Sequence, residues 1–397
     1  MSWPLVKISD FCQTGSGGTP SRDIPEYYEG DIPWIKSGDL KENIVTSATE
    51  FISREAIKKS SAKIVSQGAI LVAMYGATVG RMALLGIDAA TNQAVCNVVP
   101  DASKADTKYV YYALLSKVPD FLRSAIGGAQ PNISQGLIRS TEIPLPPLPE
   151  QKRIAAILDK ADAIRRKRQQ SSQLADDFLR AVFLDMFGDP VTNPKGWSVK
   201  PLSAGIRSIS SGWSASGENR PCGAGEKGVL KISAVTSGVF KPEENKAVPI
   251  DQIPDGKKLL FPKRGDLLFS RANTRELVAA SCIVMTDAED VFLPDKLWLV
   301  ETDQNKLLPE FLNYLLWQPR FKERLTSQAT GTSGSMLNIS KSKFEETDTF
   351  FPNMELQGKF KRIYWALQET LDASASSREA GDSLFESLSQ KAFSGHL

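Results

Sequence analysis

The sequence has 397 residues, of which 41% are hydrophobic and 24% are charged, and its formal net charge is +2 at pH 7. This composition is typical of a globular protein with two or three domains, and it excludes disordered, collagen-like and disulfide-scaffold chains. The four cysteines lie far apart without a Cys-x-x-Cys pair, and the only histidine is His396, so we expect no metal site and no histidine-dependent catalytic triad.

No stretch is apolar enough to span a membrane, and the first ten residues lack a signal-peptide pattern, which predicts a cytoplasmic protein. Charge is balanced locally as well, because residues 1–149 carry 14 basic and 14 acidic groups. A protein that held nucleic acid alone would be expected to carry a basic surplus, since phosphate neutralisation supplies much of such affinity. The chain therefore either does not bind nucleic acid or binds it together with partner subunits.

The chain is an internal repeat of one domain. Similar segments recur in the same order: residues 3–9 resemble 197–203, residues 34–37 resemble 230–233, residues 68–73 resemble 265–270, and residues 132–134 resemble 338–340. The offset grows from 194 to 206 residues, as expected for two copies that differ by loop insertions. We divide the chain into a first domain over residues 1–149, a long helix over 150–187, a second domain over 188–352 and a second long helix over 353–393.

Each copy ends in a long helical pattern. Residues 150–187 contain neither Gly nor Pro, and Gly188 and Pro190 follow as helix-ending residues. Small or apolar residues spaced three and four apart predict a buried stripe, and we expect the two stripes to pack as an antiparallel coiled coil. The predicted helix-pair interface consists of Ile154, Ile157, Ala161, Ile164, Phe178 and Val182 on the first helix and Phe360, Ile363, Leu367, Leu384 and Leu388 on the second. The expected fold class is α+β, with two similar α/β domains in a pseudo-two-fold arrangement joined by these helices.

Three runs of sequence are similar to those of a known family. They are Gly-Gly-Thr-Pro-Ser-Arg at residues 17–22 with Ile-Pro-Trp-Ile-Lys-Ser-Gly-Asp-Leu at 32–40, the proline-rich run from Ile143 through Pro149 to Glu150-Gln151-Lys152-Arg153, and Phe187-Gly188-Asp189-Pro190 leading to Trp197. Together they resemble the specificity (S) subunit of type I restriction-modification systems. The second copy departs from the pattern, because residues 351–357 replace the proline-rich run and residues 211–214 replace the Gly-Gly-Thr-Pro loop.

The resemblance implies a non-catalytic subunit that reads a bipartite, asymmetric DNA target with one half-site for each domain. It implies double-stranded DNA, two modification (methyltransferase) subunits and restriction or motor subunits as partners. No cofactor is expected on this chain, whereas S-adenosylmethionine, ATP and magnesium are implied in the partner subunits. The sequence agrees, because it contains neither the Asp/Asn-Pro-Pro-Tyr/Phe tetrapeptide of adenine methylation nor a GxxxxGK[ST] phosphate loop.

Polar turns in the two copies supply the candidate DNA contacts. Arginine can bond guanine bidentately and asparagine can bond adenine, so turns that expose these side chains suit base reading. The glycine-rich loop at residues 15–18 would also offer backbone N–H groups to DNA beside Arg22. The predicted DNA-binding residues are Arg22, Lys36, Ser37, Tyr75, Gly76, Thr78, Arg81, Gln130 and Asn132 in the first copy, and Lys231, Ser233, Arg271, Asn273, Thr274, Arg275, Thr332 and Ser333 in the second.

Other interpretations remain open. The turns could be ordinary surface hairpins and flexible loops. The chain could be the recognition subunit of a related fused methyltransferase-nuclease system, or a scaffold that assembles partners through its helices without reading DNA. An enzyme with its site inside one α+β domain is a further alternative.

Overall fold

The computed structural model describes residues 3–41, 43–124, 132–331 and 336–397, apart from the side chains of residue 172 and of residues 372–380. The chain divides into two compact units. The first unit contains residues 1–169 and 374–397, and the second contains residues 170–373. Each unit therefore holds one copy of the repeat and part of each long helix.

The first copy is built from short strands and helices. Its strands are β1 (Leu5–Lys7), β2 (Cys12–Ser16), β3 (Ile32–Ile35), β4 (Ile44–Val45), β5 (Glu50–Ile52), β6 (Ile64–Val65), β7 (Ile70–Ala73), β8 (Met82–Leu85), β9 (Ala89–Thr91), β10 (Val95–Pro100) and β11 (Glu142–Pro144). Its helices are α1 (Arg54–Lys59), α2 (Thr107–Ser116), α3 (Val118–Ser124), α4 (Gln135–Ser140) and the long α5 (Leu148–Phe187). Among the described residues the sheets have the strand orders β2-β10-β7-β8-β4, β5-β3-β9-β6 and β1-β11.

The second copy repeats this construction. Its strands are β12 (Ser198–Pro201), β13 (Ile206–Ser211), β14 (Lys227–Leu230), β15 (Asn245–Val248), β16 (Leu267–Ser270), β17 (Ala272–Asn273), β18 (Ser281–Ile283), β19 (Val291–Phe292), β20 (Leu297–Thr302), β21 (Leu337–Asn338) and β22 (Asp348–Phe351). Its helices are α6 (Pro309–Leu316), α7 (Pro319–Ser327), α8 (Lys341–Glu345) and the long α9 (Met354–Ser394). The described sheets have the orders β13-β20-β16-β18, β15-β14-β19, β12-β22 and β17-β21.

Most strands of the larger sheets correspond between the two copies. The order β13-β20-β16-β18 matches β2-β10-β7-β8, and β15-β14-β19 matches β5-β3-β9, with the pair β14-β19 parallel like β3-β9. Both β7 and β16 bury all four of their residues, which explains their continuous apolar sequences. Gly68 and Gly265 precede these strands with φ of +90° and +91°, a left-handed conformation that favours glycine at both positions. The repeat read from the sequence is therefore present in the structure.

The repeated Asn-Ile-Ser segments have the same structure in both units. Ile133 and Ile339 are buried in the core of their own unit. The following serines are N-caps, because Ser134 Oγ accepts the Leu137 N–H at 3.0 Å and Ser340 Oγ accepts the Lys343 N–H at 3.3 Å. The short motif thus fixes where α4 and α8 begin.

The long helices α5 and α9 pack against the domain core and against each other within each unit. In the first unit, the Arg165 guanidinium lies 4.7 Å from the Phe385 ring centre, and Arg153 Nη2 donates to the Leu397 backbone oxygen. In the second unit, the Phe183 and Phe360 rings are 5.6 Å apart. The N-terminal part of α5 contacts the C-terminal part of α9 in the first unit, and the C-terminal part of α5 contacts the N-terminal part of α9 in the second. The two helices therefore run antiparallel, as expected.

Part of the predicted helix-pair interface is wrong. Ile164, Phe178 and Leu384 are 48%, 53% and 52% exposed, so these three residues lie outside the packed stripe. Of the other predicted residues, Ile157 is half-buried, and Ile154, Ala161, Val182, Phe360, Ile363, Leu367 and Leu388 belong to or pack against the core clusters. Among the side chains that the structure describes, the buried apolar positions that the prediction missed are Ala155, Leu158, Ala175, Leu179, Phe183 and Phe187 on α5, together with Tyr364, Phe385 and Ala392 on α9.

The displacement of the stripe has a simple physical cause. The prediction assumed that each long helix packs only against the other long helix. In the structure each helix also packs against the helix that follows β10 or β20, as when the Phe183 ring stacks on Phe311 of α6 at 5.5 Å. A helix with two neighbours buries a wider face, which on α5 includes Leu158, Leu179 and Phe183, each one residue after a predicted position.

Candidate nucleic-acid interface

In the first unit, backbone hydrogen bonds join four polar segments into one edge. The Asn92 N–H donates to the Ile35 carbonyl at 3.0 Å, and the Met74 N–H donates to the Ala94 carbonyl at 2.8 Å. The Ile133 N–H in turn donates to the Met74 carbonyl at 3.0 Å. Because each bond joins a residue next to a predicted site, the edge brings together the segments that carry Lys36, Tyr75 and Asn132. We call it the first edge.

The turn between β7 and β8 contributes the most exposed part of the first edge. Tyr75 is 39% exposed and forms an isolated antiparallel bridge with Asn132. Gly76 has φ of +69°, and the Thr78 hydroxyl donates to the Tyr75 carbonyl at 3.2 Å, which closes the turn. Arg81 is exposed and makes no ion pair with any residue that the structure describes. An aromatic ring and a cation are therefore available to a ligand here.

Arg22 and Lys36 share one carboxylate. Arg22 Nη2 lies 2.6 Å from Glu50 Oε2, and Lys36 Nζ donates to Glu50 Oε1 at 2.5 Å. The Arg22 guanidinium also lies 4.1 Å from the centre of the Tyr28 ring. The hydrogen bond from Lys36, with that from Arg22, lowers the pKa of Glu50, which keeps the carboxylate charged. Ser37 follows Lys36 at the start of a short turn and is half-buried.

The glycine-rich loop has a structural role, and its prediction as a source of free N–H groups is wrong at two positions. The Gly17 N–H donates to the Val95 carbonyl at 3.2 Å, and the Gly18 N–H donates to the Thr91 carbonyl at 2.9 Å. A Cβ atom on Gly17 would lie 2.0 Å from the Thr91 oxygen. These glycines are required because two backbone segments cross closely, so neither N–H is available to a phosphate.

The second unit makes the same close crossing with a different sequence. The Gly212 N–H donates to the Pro294 carbonyl at 3.2 Å, and a Cβ on Gly212 would lie 1.8 Å from the Leu293 oxygen. Gly212 thus corresponds to Gly17. The departure of residues 211–214 from the Gly-Gly-Thr-Pro pattern leaves this part of the fold intact.

The second unit has an edge with two of the three corresponding hydrogen bonds. The Arg271 N–H donates to the Lys296 carbonyl at 3.1 Å, and the Ile339 N–H donates to the Arg271 carbonyl at 2.9 Å. These bonds correspond to those of Met74 with Ala94 and Ile133. Arg271 therefore occupies the position of Met74, which is only 2% exposed. We call this the second edge, and it carries a cation where the first edge carries a buried apolar side chain.

The Arg271 side chain is held on three sides. Its Nε donates to the Asp295 carbonyl at 3.0 Å, Nη2 lies 3.3 Å from Asp295 Oδ2, and Nη1 donates to Asn338 Oδ1 at 3.4 Å. The neighbouring Asn273 Oδ1 accepts the Thr274 N–H at 2.8 Å. Arg275 is exposed and makes no ion pair within the described part of the chain. The second edge thus presents one fixed and one free arginine.

Lys231 and Ser233 also lie beside a carboxylate. Lys231 Nζ lies 3.9 Å from Glu244 Oε2, and the Ser233 hydroxyl donates to that oxygen at 2.7 Å. The sequence reasoning named the cations and missed the carboxylates Glu50, Glu244 and Asp295. These carboxylates could have been identified only from the register between paired strands, and the sequence does not show which strands pair. The predicted residues Gln130, Thr332 and Ser333 lie outside the described residues.

The cysteines and acidic residues form no candidate metal cluster in the part of the chain that the structure describes. No group of three or more His, Cys, Asp or Glu side chains there could hold a metal ion. Burial raises the pKa of the Cys12 and Cys96 thiols to about 12, so both are protonated at neutral pH. Over the same residues, no helix has the length and apolar character of a membrane span.

Comparison with known families confirms the resemblance found in the motifs. Residues 2–175 match the family model described as the type I restriction modification DNA specificity domain. The first copy of the repeat therefore resembles this domain, and the chain is similar to the specificity subunits of type I restriction-modification systems.

Individual proteins that are similar to this chain are also described as specificity subunits of type I restriction enzymes. The MjaIX specificity subunit of a type I restriction enzyme from Methanocaldococcus jannaschii is 31% identical over 220 residues, which cover 50% of this chain and 50% of that protein. The MjaVIII specificity subunit from the same organism is 25% identical over 346 residues, which cover 83% of this chain and 78% of that protein. The chain thus spans about half the length of the first of these relatives.

A solved structure supports the fold. The crystal structure of the type I restriction-modification system S subunit from M. genitalium aligns with 99% of this chain and 96% of that chain, at a TM-score of 0.58 and 16% sequence identity. The expected α+β fold with long helices is confirmed.

Proposed function

We propose that the chain is the DNA sequence-recognition subunit of a type I restriction-modification complex and reads a bipartite target with one half-site for each unit. The observation that carries the proposal is the match of residues 2–175 to the specificity-domain family, combined with a second unit that repeats the same sheets. Within each edge, equivalent backbone hydrogen bonds hold the polar segments together. We propose that each edge faces one of the two half-sites.

The chemistry of the edges suits base reading. Arg81, Arg271 and Arg275 can donate to guanine, and Asn132 and Asn273 have the donor and acceptor pattern that adenine requires. The edges differ in their side chains while sharing a backbone framework, so each would select a different base sequence. Such a pair of edges matches an asymmetric target.

In this proposal the chain performs no catalysis and binds no cofactor. Two modification subunits, which would carry S-adenosylmethionine, supply methyl transfer, and restriction or motor subunits that use ATP and magnesium supply cleavage. These subunits also supply basic surface, because a chain with a net charge of +2 is a weak phosphate clamp by itself. The complex would act on DNA in the cytoplasm.

The test compares methyl transfer by the purified chain with transfer by the chain reconstituted with its modification subunits. We expect no labelled methyl transfer from S-adenosylmethionine by the chain alone and sequence-specific transfer by the complex, mapped by sequencing the methylated DNA. Transfer by the chain alone would make it an enzyme. Transfer by the complex without sequence preference would make the chain a scaffold.

A further inference from the structure

Several of the predicted DNA-binding cations already form ion pairs with carboxylates of their own unit. Glu50 lies between Arg22 and Lys36 in the first unit, and Glu244 lies beside Lys231 in the second. Each lysine directly follows the last residue of equivalent strands, β3 and β14. The pairing therefore occurs at the same place in both units.

The two units reach this pairing from different positions in the sheet. Glu50 lies opposite Trp34 in the register of β3 with β5. Glu244 lies opposite Lys231 itself, because the Lys231 N–H donates to the Glu244 carbonyl at 2.9 Å. The pairing is thus made by strand positions that are not equivalent, so it is not a by-product of one shared backbone position.

Stability does not account for these ion pairs. The side chains of Lys36 and Glu50 are 32% and 31% exposed, and those of Lys231 and Glu244 are 31% and 40% exposed. Ion pairs this close to solvent contribute little to folding, because water screens them and two long side chains must be ordered. Their effect on DNA is larger, since each cation that contacts a phosphate releases counterions and raises affinity for any sequence.

We propose that Glu50 and Glu244 are specificity-determining residues that withhold the lysines from phosphates until the carboxylate finds a base amino group in the target half-site. This inference rests on the proposed function. Carboxylates accept hydrogen bonds from the cytosine N4 amino group in the major groove. When such a group is present, the carboxylate turns to it and the lysine is released to a phosphate. On other sequences the pair stays closed and the carboxylate repels the backbone.

The main test is Glu50→Gln in the full complex of chain and modification subunits. Binding is measured over a range of salt concentrations to the target duplex and to a duplex in which the half-site of the first unit is scrambled. We expect the slope of log affinity against log salt on the scrambled duplex to steepen by about 0.9 to 1.8, for one or two released cations. Taken relative to 1 M salt, these slopes correspond to a rise of about eight- to sixtyfold in the affinity for that duplex at 100 mM salt, and the ratio of target to scrambled affinity should fall.

The matched control is Glu55→Gln, which makes the same change in charge at an exposed residue of α1 that has no ion pair within the described residues. We expect it to leave the slope unchanged. Adding Lys36→Gln to Glu50→Gln should reduce the slope again by about 0.9, which assigns the released charge to Lys36. Glu244→Gln should give the corresponding effect on a duplex with the other half-site scrambled.

The outcomes separate this inference from the proposed function. If the parent complex bound target and scrambled duplexes equally, the proposed function would be overturned together with the inference. If the parent were selective and Glu50→Gln behaved like Glu55→Gln, only the role of Glu50 would be overturned. An equal gain of affinity by Glu50→Gln on both duplexes would also reject the base-amino step, since a general charge effect would explain it.

Discussion

Two buried glutamines hold the first turns of the long helices in the same way. Gln151 Oε1 accepts the Asp106 N–H at 2.8 Å, while its Nε2 donates to the carbonyls of Lys104 and Pro146 at 3.0 and 2.8 Å. Gln357 makes the equivalent three bonds with Leu308, Lys306 and Pro352 at 2.9, 3.1 and 2.9 Å. Each glutamine provides hydrogen-bond partners for backbone groups in the loop before a core helix and in the proline segment before a long helix.

Replacing this amide should destabilise the protein strongly. Gln151→Leu leaves three backbone groups without partners at a site where the side chain is completely buried, so we expect a loss of about 2–5 kcal/mol in the free energy of unfolding. Urea unfolding of the full chain measures it. Gln357→Leu should behave alike in the second unit. The control Gln169→Leu, at an exposed position of α5, should change stability by less than about 0.5 kcal/mol, and an equal loss in the control would contradict the role of the amide.

At the scale of elements, the long helices are anchored mainly by aromatic side chains in the second unit. Phe183 is completely buried and its ring centre lies 5.0 to 6.0 Å from those of Phe187, Phe311, Tyr314 and Phe360. Such contacts join α5 to both α6 and α9. Phe178, five residues earlier on α5, is 53% exposed.

This difference predicts opposite results for one chemical change on the same helix. Phe183→Ala should lower the free energy of unfolding by about 3–5 kcal/mol, because it leaves a cavity in the core. Phe178→Ala should change it by less than about 1 kcal/mol, since the side chain remains largely in water. Both variants replace phenylalanine by alanine on α5, so the change in helix propensity is the same and cancels in the comparison of their free energies of unfolding. Comparable losses in urea unfolding would show that Phe178 is packed and that the predicted stripe was right at this position.

At the scale of the whole molecule, the two units are separate copies with their own cores. The first core contains Ile70, Tyr109 and Ile154, and the second contains Phe269, Phe311 and Phe360. Residues 197–352 lie entirely within the second unit. A copy with its own core can be exchanged without removing packing from the other copy.

The exchange of this segment tests whether the half-sites are read separately. We expect that replacing residues 197–352 with the matching segment of a related specificity subunit changes one half of the methylated sequence and leaves the other half intact. The reciprocal exchange of residues 1–149 should change only the other half. Sequencing of methylated DNA from cells that carry the hybrid complexes gives the result. A change in both halves from a single exchange would mean that the units do not read DNA independently.

The repeat, the long helices and the resemblance to specificity subunits could be predicted from the amino-acid sequence. These features depend on local patterns: the spacing of apolar residues, the absence of Gly and Pro over residues 150–187, and short motifs such as Asn-Ile-Ser. Each pattern acts through neighbours along the chain, so the order of residues is enough to reveal it. The segments that supply Lys36, Tyr75 and Asn132 could be named for the same reason.

The contacts between these groups could not be predicted in the same way, because they depend on the tertiary fold. The partner of Lys36 is a carboxylate on another strand, and the N–H groups of Gly17 and Gly18 donate to carbonyls of a crossing backbone segment. The buried face of α5 depends on its packing against α6, which the spacing of apolar residues along α5 does not reveal. In each case the partner is distant in sequence and is selected by strand register or helix docking. Register and docking arise from the packing of the whole unit, because the same local sequence is compatible with several neighbours until the core is formed.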